Sequence, residues 1–215
     1  MNKNIENKIT IQVQDLGLIP YQKAWEYQKK LVAEKLNNPQ LTDILLLVEH
    51  PPVYTLGTGA SLDNLKFNLD NSPYEIYRIE RGGEVTYHCP GQIVCYPILN
   101  LANYRQDLHW YLRQLEEVII QLLAKYNIQG ERIEGLTGVW VKNSKIAAIG
   151  IKVKRWITMH GFSLNVCCDL TGFEQIIPCG IKDKSVTNLA QLKPDITIQQ
   201  IKQDLITIFF QIFVN

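Results

Sequence analysis

The segment GVWVKNSKIAAIGIKVKRWITMHGFSLNV, residues 138–166, contains three strand-like stretches in succession. Residues 138–141 and 145–153 predict a β-hairpin whose turn is formed by Asn143 and Ser144. Residues 156–166 predict a further strand that follows directly. This segment therefore indicates a sheet in the middle of the chain.

Shorter strand-like stretches precede this segment. Residues 9–13 alternate between apolar and polar side chains, and residues 44–48 form a continuous apolar run. Residues 75–79 and 93–98 are short and rich in residues that favour strands. The sheet is therefore expected to have more strands than those of residues 138–166 alone.

Helical spacing of apolar residues predicts two amphipathic helices, over residues 21–36 and 108–126. A third helix is expected after Pro194, where Thr197 and Gln200 have the spacing of a capping box. Because strands outnumber helices, the sequence predicts an α+β fold: a single domain over residues 1–215 with a mixed, largely antiparallel sheet and flanking helices.

Composition narrows the classes of function. Of the 215 residues, 46% are hydrophobic, and 22 basic against 21 acidic residues give a net charge of +1. This balance gives no general field for attracting nucleic acid or an anionic membrane. No signal peptide and no apolar run of membrane-spanning length are visible, so we expect a cytoplasmic protein. A local basic patch remains, which a solvated face explains equally well: Lys142, Lys145, Lys152, Lys154, Arg155, Lys182 and Lys184.

The cysteines point to nucleophilic chemistry and away from a disulfide framework. Their number, five, is odd, and no Cys-x-x-Cys spacing occurs, so reduced thiols are expected. Cys179 lies between Pro178 and Gly180, which predict a tight turn holding the thiol at the end of a loop. A nucleophile suits that position.

Residues 81–92 resemble a binding loop. Gly82, Gly83 and Gly91 permit close backbone approach to a ligand. A plain turn explains the first two glycines, but it does not explain the density of polar side chains that flank them. Together with Cys179, this loop suggests acyl transfer through a cysteine.

Lys145 begins a strand whose small residues, Ala147, Ala148 and Gly150, leave room for a ligand chain. An isolated lysine at a hairpin is commonly a surface charge. Beside a reactive cysteine, however, an ammonium group favours the thiolate, which is the form that attacks. A desolvated lysine amine can also carry protons.

Other chemistries have less support. Gly57 and Gly59 begin like a dinucleotide-binding fingerprint, but Leu62 occupies the third glycine position, and no phosphate loop occurs. A glycine-containing cluster at residues 160–165 is a weak signal by itself. A zinc site would have to be assembled from residues without ligand spacing, namely His88, Cys89, His160 and Cys167.

Four motifs, taken in chain order, resemble the octanoyltransferases, also called lipoyl(octanoyl) transferases of the lipoate-protein ligase B type. They lie at residues 81–92, 145–151, 160–165 and 178–180. In that family an octanoyl group leaves acyl carrier protein, rests as a thioester on the cysteine, and passes to a lysine of a lipoyl domain. The resemblance implies the fold of lipoate and biotin protein ligases.

The resemblance also assigns roles. It implies Cys179 as the acyl-accepting nucleophile and Lys145 as the group that lowers its pKa or relays its proton. The implied partners are octanoyl-acyl carrier protein as donor, and lipoyl domains of 2-oxoacid dehydrogenases and the glycine cleavage H protein as acceptors. No cofactor or metal is implied, because a thioester-to-amide relay runs downhill. The residues implied to bind the octanoyl group are Arg81, Gly82, Gly83, Glu84, Val85, Thr86, Tyr87, His88, Ala148, Ile149, Gly150, Gly161, Phe162 and Ser163.

Two residues depart from the family pattern. Cys89 stands where glycine is usual, so either the backbone there needs no positive φ or the loop is reshaped. Asn188 stands where serine is common. Two rival functions remain open at this point: an ATP-dependent lipoate or biotin ligase of the same fold, and an acyl-binding module without catalytic activity.

Overall fold

The computed structural model describes residues 9–177 and 184–214. Its strands are β1 Ile11–Leu18, β2 Asp43–Glu49, β3 Val53–Leu56, β4 Glu75–Arg78, β5 Val85–His88, β6 Gln92–Ile98, β7 Val139–Val141, β8 Ser144–Lys154, β9 Ile157–Asn165 and β10 Ser185–Val186. Its α-helices are α1 Tyr21–Asn37, α2 Leu108–Lys125, α3 Thr171–Glu174, α4 Leu189–Leu192 and α5 Ile198–Phe213.

The strands form two sheets. The larger sheet has the order β1-β2-β6-β9-β8-β10, with β7 also paired to β8, and the smaller one has the order β4-β3-β5. Three pairs are parallel, β1 with β2, β8 with β10, and β3 with β4. The remaining pairs are antiparallel. The predicted α+β fold with a mixed, largely antiparallel sheet is confirmed.

The long helices cover the two faces of the larger sheet. Helices α2 and α5 pack on one face, over a core that includes Leu115, Ile119 and Phe209. Helix α1 packs on the other face through Leu31 and Val32. The predicted cap of the last helix is confirmed, because the Thr197 side chain accepts a hydrogen bond from the backbone N–H of Gln200. No helix in the described ranges is long and apolar enough to span a membrane.

Several predicted element boundaries need correction. The first strand, expected at residues 9–13, is β1 Ile11–Leu18, and the short strand β10 was not expected. The hairpin turn lies one residue earlier than expected, at Lys142 and Asn143, because Val141 pairs with Ser144 and Lys142 adopts a φ of +55°. Trp156 is a turn residue rather than the start of a strand, since β8 and β9 meet in a tight hairpin. Strands β3 and β5 were not expected, and β5 lies inside the segment interpreted as a loop.

Candidate active site

A cleft lies between the larger sheet and the segment that contains β5. It contains about 470 Å³ of space outside the atoms, open solvent included, and its lining is mostly apolar. All the substrate-binding residues suggested by the sequence line it except Gly82 and Tyr87: Arg81, Gly83, Glu84, Val85, Thr86, His88, Ala148, Ile149, Gly150, Gly161, Phe162 and Ser163.

Gly82 has a supporting position instead. Its backbone N–H donates to Ile151 O at 2.9 Å, which attaches the turn at residues 81–84 to the larger sheet. This approach requires a glycine opposite the turn, because a β-carbon at Gly150 would lie only 2.8 Å from Gly82 O. The glycines therefore bring two segments, distant in sequence, to opposite sides of one cleft.

Tyr87 lies on the face of β5 that points away from the cleft. Its ring packs against Tyr54 and Phe173, with ring centroids 5.2 and 5.4 Å apart. Neighbouring Thr86 and His88 line the cleft, as expected because successive side chains of a strand point to opposite faces. Tyr87 therefore packs in the core that supports the cleft wall.

Lys145 lies next to the cleft, in a second cavity of about 260 Å³. Thr86, Ala148 and Ser163 line both cavities, so the two are neighbours along the sheet. The lysine residue is 7% exposed, and its Nζ lies 4.9 Å from the centroid of the Trp140 ring. The amine therefore lies at one end of the cleft and largely out of water.

A β-bulge directs Lys145 to this side of the sheet. Trp140 pairs with Lys145 while the preceding Val139 pairs with Ala147, so β8 contains one extra residue, Ile146. Ile146 and Ala147 both belong to the core beneath the sheet. Without the extra residue, the strict alternation of a strand would place Lys145 on the core face with Ala147.

Buried hydrogen bonds connect Arg81 to His88. Arg81 Nη2 donates to Thr55 Oγ1 at 3.0 Å and to Thr55 O at 2.8 Å. The Thr55 hydroxyl in turn lies 3.4 Å from His88 Nε2, and His88 Nδ1 lies 2.7 Å from Gln92 Oε1. Because the amide oxygen of Gln92 only accepts, His88 Nδ1 carries the proton.

The connection continues towards Lys145. Gln92 Nε2 donates to Asn165 Oδ1 at 2.8 Å, and Asn165 Nδ2 donates to Thr187 O at 3.0 Å. The backbone N–H of Thr187 donates to Lys145 O at 3.0 Å. One chain of hydrogen bonds therefore runs behind the cleft wall and ends on the strand that carries the lysine.

The histidines at the cleft are neutral near pH 7. Burial, together with the nearby His50 imidazole, lowers the pKa of His88 to about 3. Burial also lowers the pKa of His50 and of His160 to about 4. These rings therefore act as hydrogen-bonding and packing groups rather than as cations.

The sequence interpretation missed several cleft residues. Tyr21, Val94 and Tyr96 also line the cleft, and their apolar spacing in sequence indicated only core positions. His160, noted as part of a weak cluster, lines the cleft as well. Within residues 9–177 and 184–214, no group of three or more His, Cys, Asp or Glu side chains is arranged to hold a metal ion.

Cys179 lies outside the described residues. Of the described residues, Phe173 precedes Cys179 in sequence and Val186 follows it, and both line the Lys145 cavity. Cys89 does not have a positive φ, so the backbone at this position does not require a glycine. Its thiol lies away from the cleft and donates to Asp169 O at 3.4 Å. Two further cysteines are adjacent in sequence, and of these Cys168 is buried and Cys167 is exposed.

Comparison with known proteins identifies the family. Residues 20–210 match the family model of the lipoyl protein ligase A/B catalytic domain. The chain belongs to this family. A relative from a Nostoc species, named octanoyltransferase, is 58% identical over 212 residues, covering 99% of this chain and 95% of that protein.

The fold of this lipoyl protein ligase family member is similar to the folds of solved structures. A bi-partite lipoate protein ligase from Thermoplasma acidophilum superposes with a TM-score of 0.73 at 16% identity, covering 95% of this chain and 84% of that one. The biotin protein ligase of Aquifex aeolicus gives a TM-score of 0.53 at 12% identity, covering 94% and 69%. The expected ligase-like fold is therefore confirmed.

Proposed function

We propose that this protein is an octanoyltransferase of protein lipoylation, which receives an octanoyl group on Cys179 and passes it to a lysine of a lipoyl domain. Its relatives carry the name of that activity at more than half identity. The observation that carries the proposal is that the two cavities are adjacent: the apolar cleft and the cavity of the buried lysine share Thr86, Ala148 and Ser163 in their walls.

The proposed reaction has two balanced steps. The Cys179 thiolate attacks the thioester carbon of octanoyl-acyl carrier protein, and the carrier thiol leaves with a proton supplied by Lys145. The lipoyl-domain amine then attacks the enzyme thioester, loses a proton to Lys145, and releases the Cys179 thiolate as the amide forms. Thioester exchange is near-neutral in free energy and amide formation is downhill, so neither step requires a nucleotide.

The surroundings of Lys145 support a proton-transfer role. The residue is largely excluded from water, and removing water strengthens the electrostatic effect of an ammonium group on a nearby thiol. The segments that flank Cys179 in sequence contribute Phe173 and Val186 to the same cavity. The proposal therefore requires the Cys179 thiol to lie near the Lys145 amine.

The proposed partners fit the charge at this end of the cleft. Lys142 is exposed beside the β7–β8 turn, and Lys184 donates a hydrogen bond to Asn143 in that turn. These cations suit an acidic carrier protein, and a rate that changes little with salt would contradict this docking. The proposed acceptors are lipoyl domains of 2-oxoacid dehydrogenases and the glycine cleavage H protein, and the proposed compartment is the cytoplasm.

Intact-protein mass spectrometry tests the proposal directly. Incubation with octanoyl-acyl carrier protein is expected to add one octanoyl group, and Cys179→Ala is expected to abolish both the adduct and turnover. Cys167→Ala, which removes an exposed thiol, is the matched control and keeps the adduct. An adduct that persists in Cys179→Ala overturns the assignment of the nucleophile.

Two further mixtures separate the rival functions. Activity only with free octanoate and ATP would identify an acyl-activating ligase and overturn the proposal. Octanoyl binding with neither adduct nor transfer would identify an acyl-binding module instead. Transfer from the carrier-bound substrate without ATP is the expected result.

A further inference from the structure

Aromatic rings close the cleft at the end opposite Lys145. Tyr21, Tyr96 and His160 line this end and are 2%, 4% and 1% exposed. The ring of Tyr96 lies 6.3 Å from that of His160, at an interplanar angle of 77°. Tyr21 stacks on His88 at 6.0 Å. The His50 ring joins the two pairs, because its centroid lies 5.1 Å from that of Tyr21 and 6.0 Å from that of Tyr96.

The distance from the lysine end to this wall follows from the pairing of β8 with β9. Ala148 pairs with Ser163, which is the position shared with the Lys145 cavity, and Ile151 pairs with His160. Three residues along a strand span roughly 10 Å. That is about the length of an extended eight-carbon acyl chain. Small residues line part of this stretch, at Ala148, Gly150 and Gly161, together with Ile149 and Phe162.

His160 is held in an unusual conformation at this wall. Its φ is +59° within a strand, a region that side chains other than glycine enter at a cost. Its backbone N–H donates to Gln28 Oε1 at 3.0 Å, whereas neither ring nitrogen has a hydrogen-bond partner among the described residues. The backbone is therefore held strained while the imidazole fills the end of the cleft.

The neighbouring ring has little freedom to move aside. Tyr96 donates its hydroxyl hydrogen to His50 Nε2 at 2.8 Å. His50 Nδ1–H in turn donates to Ile19 O at 2.8 Å. A longer acyl chain that displaced Tyr96 would break buried hydrogen bonds without replacing them, which is unfavourable.

We propose that this wall limits the acyl chain to about eight carbons, and that His160 is the residue that stops its methyl end. The inference rests on the proposed octanoyl transfer and adds to it the residues that determine chain length. A shorter chain leaves space unfilled at the wall, and a longer chain has no room beyond His160.

The decisive variant is His160→Gly, which removes the imidazole from the end of the cleft without straining the backbone. Glycine adopts a φ of +59° readily, and the variant also removes two buried nitrogens that lack hydrogen-bond partners among the described residues, one of them 3.9 Å from Glu80 Oε1. Acyl-enzyme formation is measured with six-, eight-, ten- and twelve-carbon acyl-acyl carrier proteins. Since one or two methylenes at a closed pocket end change discrimination by ~10-fold or more, we expect the ten-to-eight-carbon ratio of kcat/KM to rise by at least that factor.

Two controls separate shape from other effects. Arg155→Gly relieves a φ of +49° in the same hairpin but lies outside the cleft, so it is expected to keep the native chain-length preference. His160→Phe replaces the imidazole with an apolar ring, so it is expected to keep the eight-carbon limit. If His160→Gly folds poorly, Tyr21→Leu is the second test, because it replaces the ring that helix α1 contributes to the wall with a smaller side chain.

The outcomes distinguish this inference from the function on which it rests. An unchanged ten-to-eight-carbon ratio in folded His160→Gly, or in Tyr21→Leu if only that variant folds, overturns the inference. The same ratio shift in Arg155→Gly also overturns it, because the effect would then not come from the wall. Absence of any acyl adduct on the wild-type protein with every chain length would instead overturn the proposed function.

Discussion

Gly138 lies directly against the end of the Lys145 side chain. A β-carbon at position 138 would lie 2.7 Å from Lys145 Cε and 3.4 Å from Nζ. Gly138 is itself held in place, because its N–H donates to Glu116 Oε1 at 3.2 Å, and the buried Glu116 carboxylate pairs with Arg132 at 3.0 Å. The amine is thus positioned by Gly138 on one side and by the Trp140 ring on another.

Gly138→Ala is therefore expected to displace the Lys145 amine. Because a misplacement of about 1 Å in a catalytic group can cost up to ~100-fold in rate, we expect acylation of Cys179 to slow by ~10- to 100-fold. The new β-carbon would also lie 2.7 Å from Ala147 O, so the melting temperature should fall. The rate of adduct formation is measured by intact-protein mass spectrometry of samples quenched at set times. The rate is then divided by the fraction of protein that is folded.

Gly135→Ala is the matched control for that variant. Gly135 also has a positive φ, +78°, but a β-carbon there meets no atom within 4 Å. Its substitution therefore shares the backbone strain and lacks the contact with the lysine. Equal slowing in both variants would show that strain in this loop, and not the position of Lys145, controls the rate.

Replacing Lys145 itself should change the chemistry of the thiol. If the ammonium group favours the Cys179 thiolate, Lys145→Ala raises the pH at which Cys179 is alkylated and slows acylation. Lys142→Ala, which removes an exposed lysine nearby, should leave the pH at which Cys179 is alkylated unchanged. Alkylation is followed by peptide mass spectrometry in a Cys167→Ser background, since Cys167 is exposed, and an unaltered pH profile would remove Lys145 from this role.

The sequence was sufficient for the fold class because the relevant patterns are local. Alternation over residues 138–166 and helical spacing over residues 108–126 each report which face is buried, and both are confirmed in β8, β9 and α2. The family resemblance implied that the glycine-containing motifs share one binding site, and residues of three of these motifs line the same cleft. Each of these signals depends on residues close together in the chain.

The features that were missed depend on long-range packing. The bulge at Ile146, which directs Lys145 into its cavity, exists only in the pairing of β7 with β8. The positive φ of His160 is fixed by contacts such as that with Gln28, 132 positions away in sequence. Tyr21 carries an ordinary helix-core signal, so nothing local marks it as part of the cleft.

A buried ion pair far from the cleft provides a test of the scaffold. Lys35 Nζ lies 2.7 Å from Asp43 Oδ1, with both side chains at most 4% exposed, and the Tyr104 hydroxyl donates to Asp43 Oδ2 at 2.7 Å. Asp43→Asn leaves the lysine charge buried without its counter-ion. Since breaking a buried pair costs ~3–5 kcal/mol, we expect a loss of about that size in the free energy of unfolding measured in urea.

The Lys30–Glu34 pair is the control for this measurement. Its charged atoms are 3.9 Å apart, and the side chains are 69% and 49% exposed. Exposed pairs contribute ~1 kcal/mol or less, so Glu34→Gln should leave the free energy of unfolding nearly unchanged. A loss as large as that in Asp43→Asn would contradict the interpretation that burial makes the difference.

The buried histidines predict how stability depends on pH. The pKa is about 3 for His88 and about 4 for His50 and His160 in the folded protein, below the ~6.5 of an unfolded chain. Between these values the unfolded state binds more protons, so stability is fully present above pH ~6.5 and falls as the pH drops. Each histidine contributes up to ~1.4 kcal/mol per pH unit in this window.

Urea unfolding of the wild-type protein from pH 7.5 down to 4.5 measures this slope, above the range in which most carboxylates titrate. His160→Gly removes one of the three buried histidines. The free energy of unfolding of this variant should therefore fall less steeply with decreasing pH, by up to ~1.4 kcal/mol per pH unit. The Arg155→Gly variant retains all three and should follow the wild-type slope. Parallel curves for wild type and His160→Gly would mean that His160 takes up its proton in the folded state as readily as in the unfolded chain.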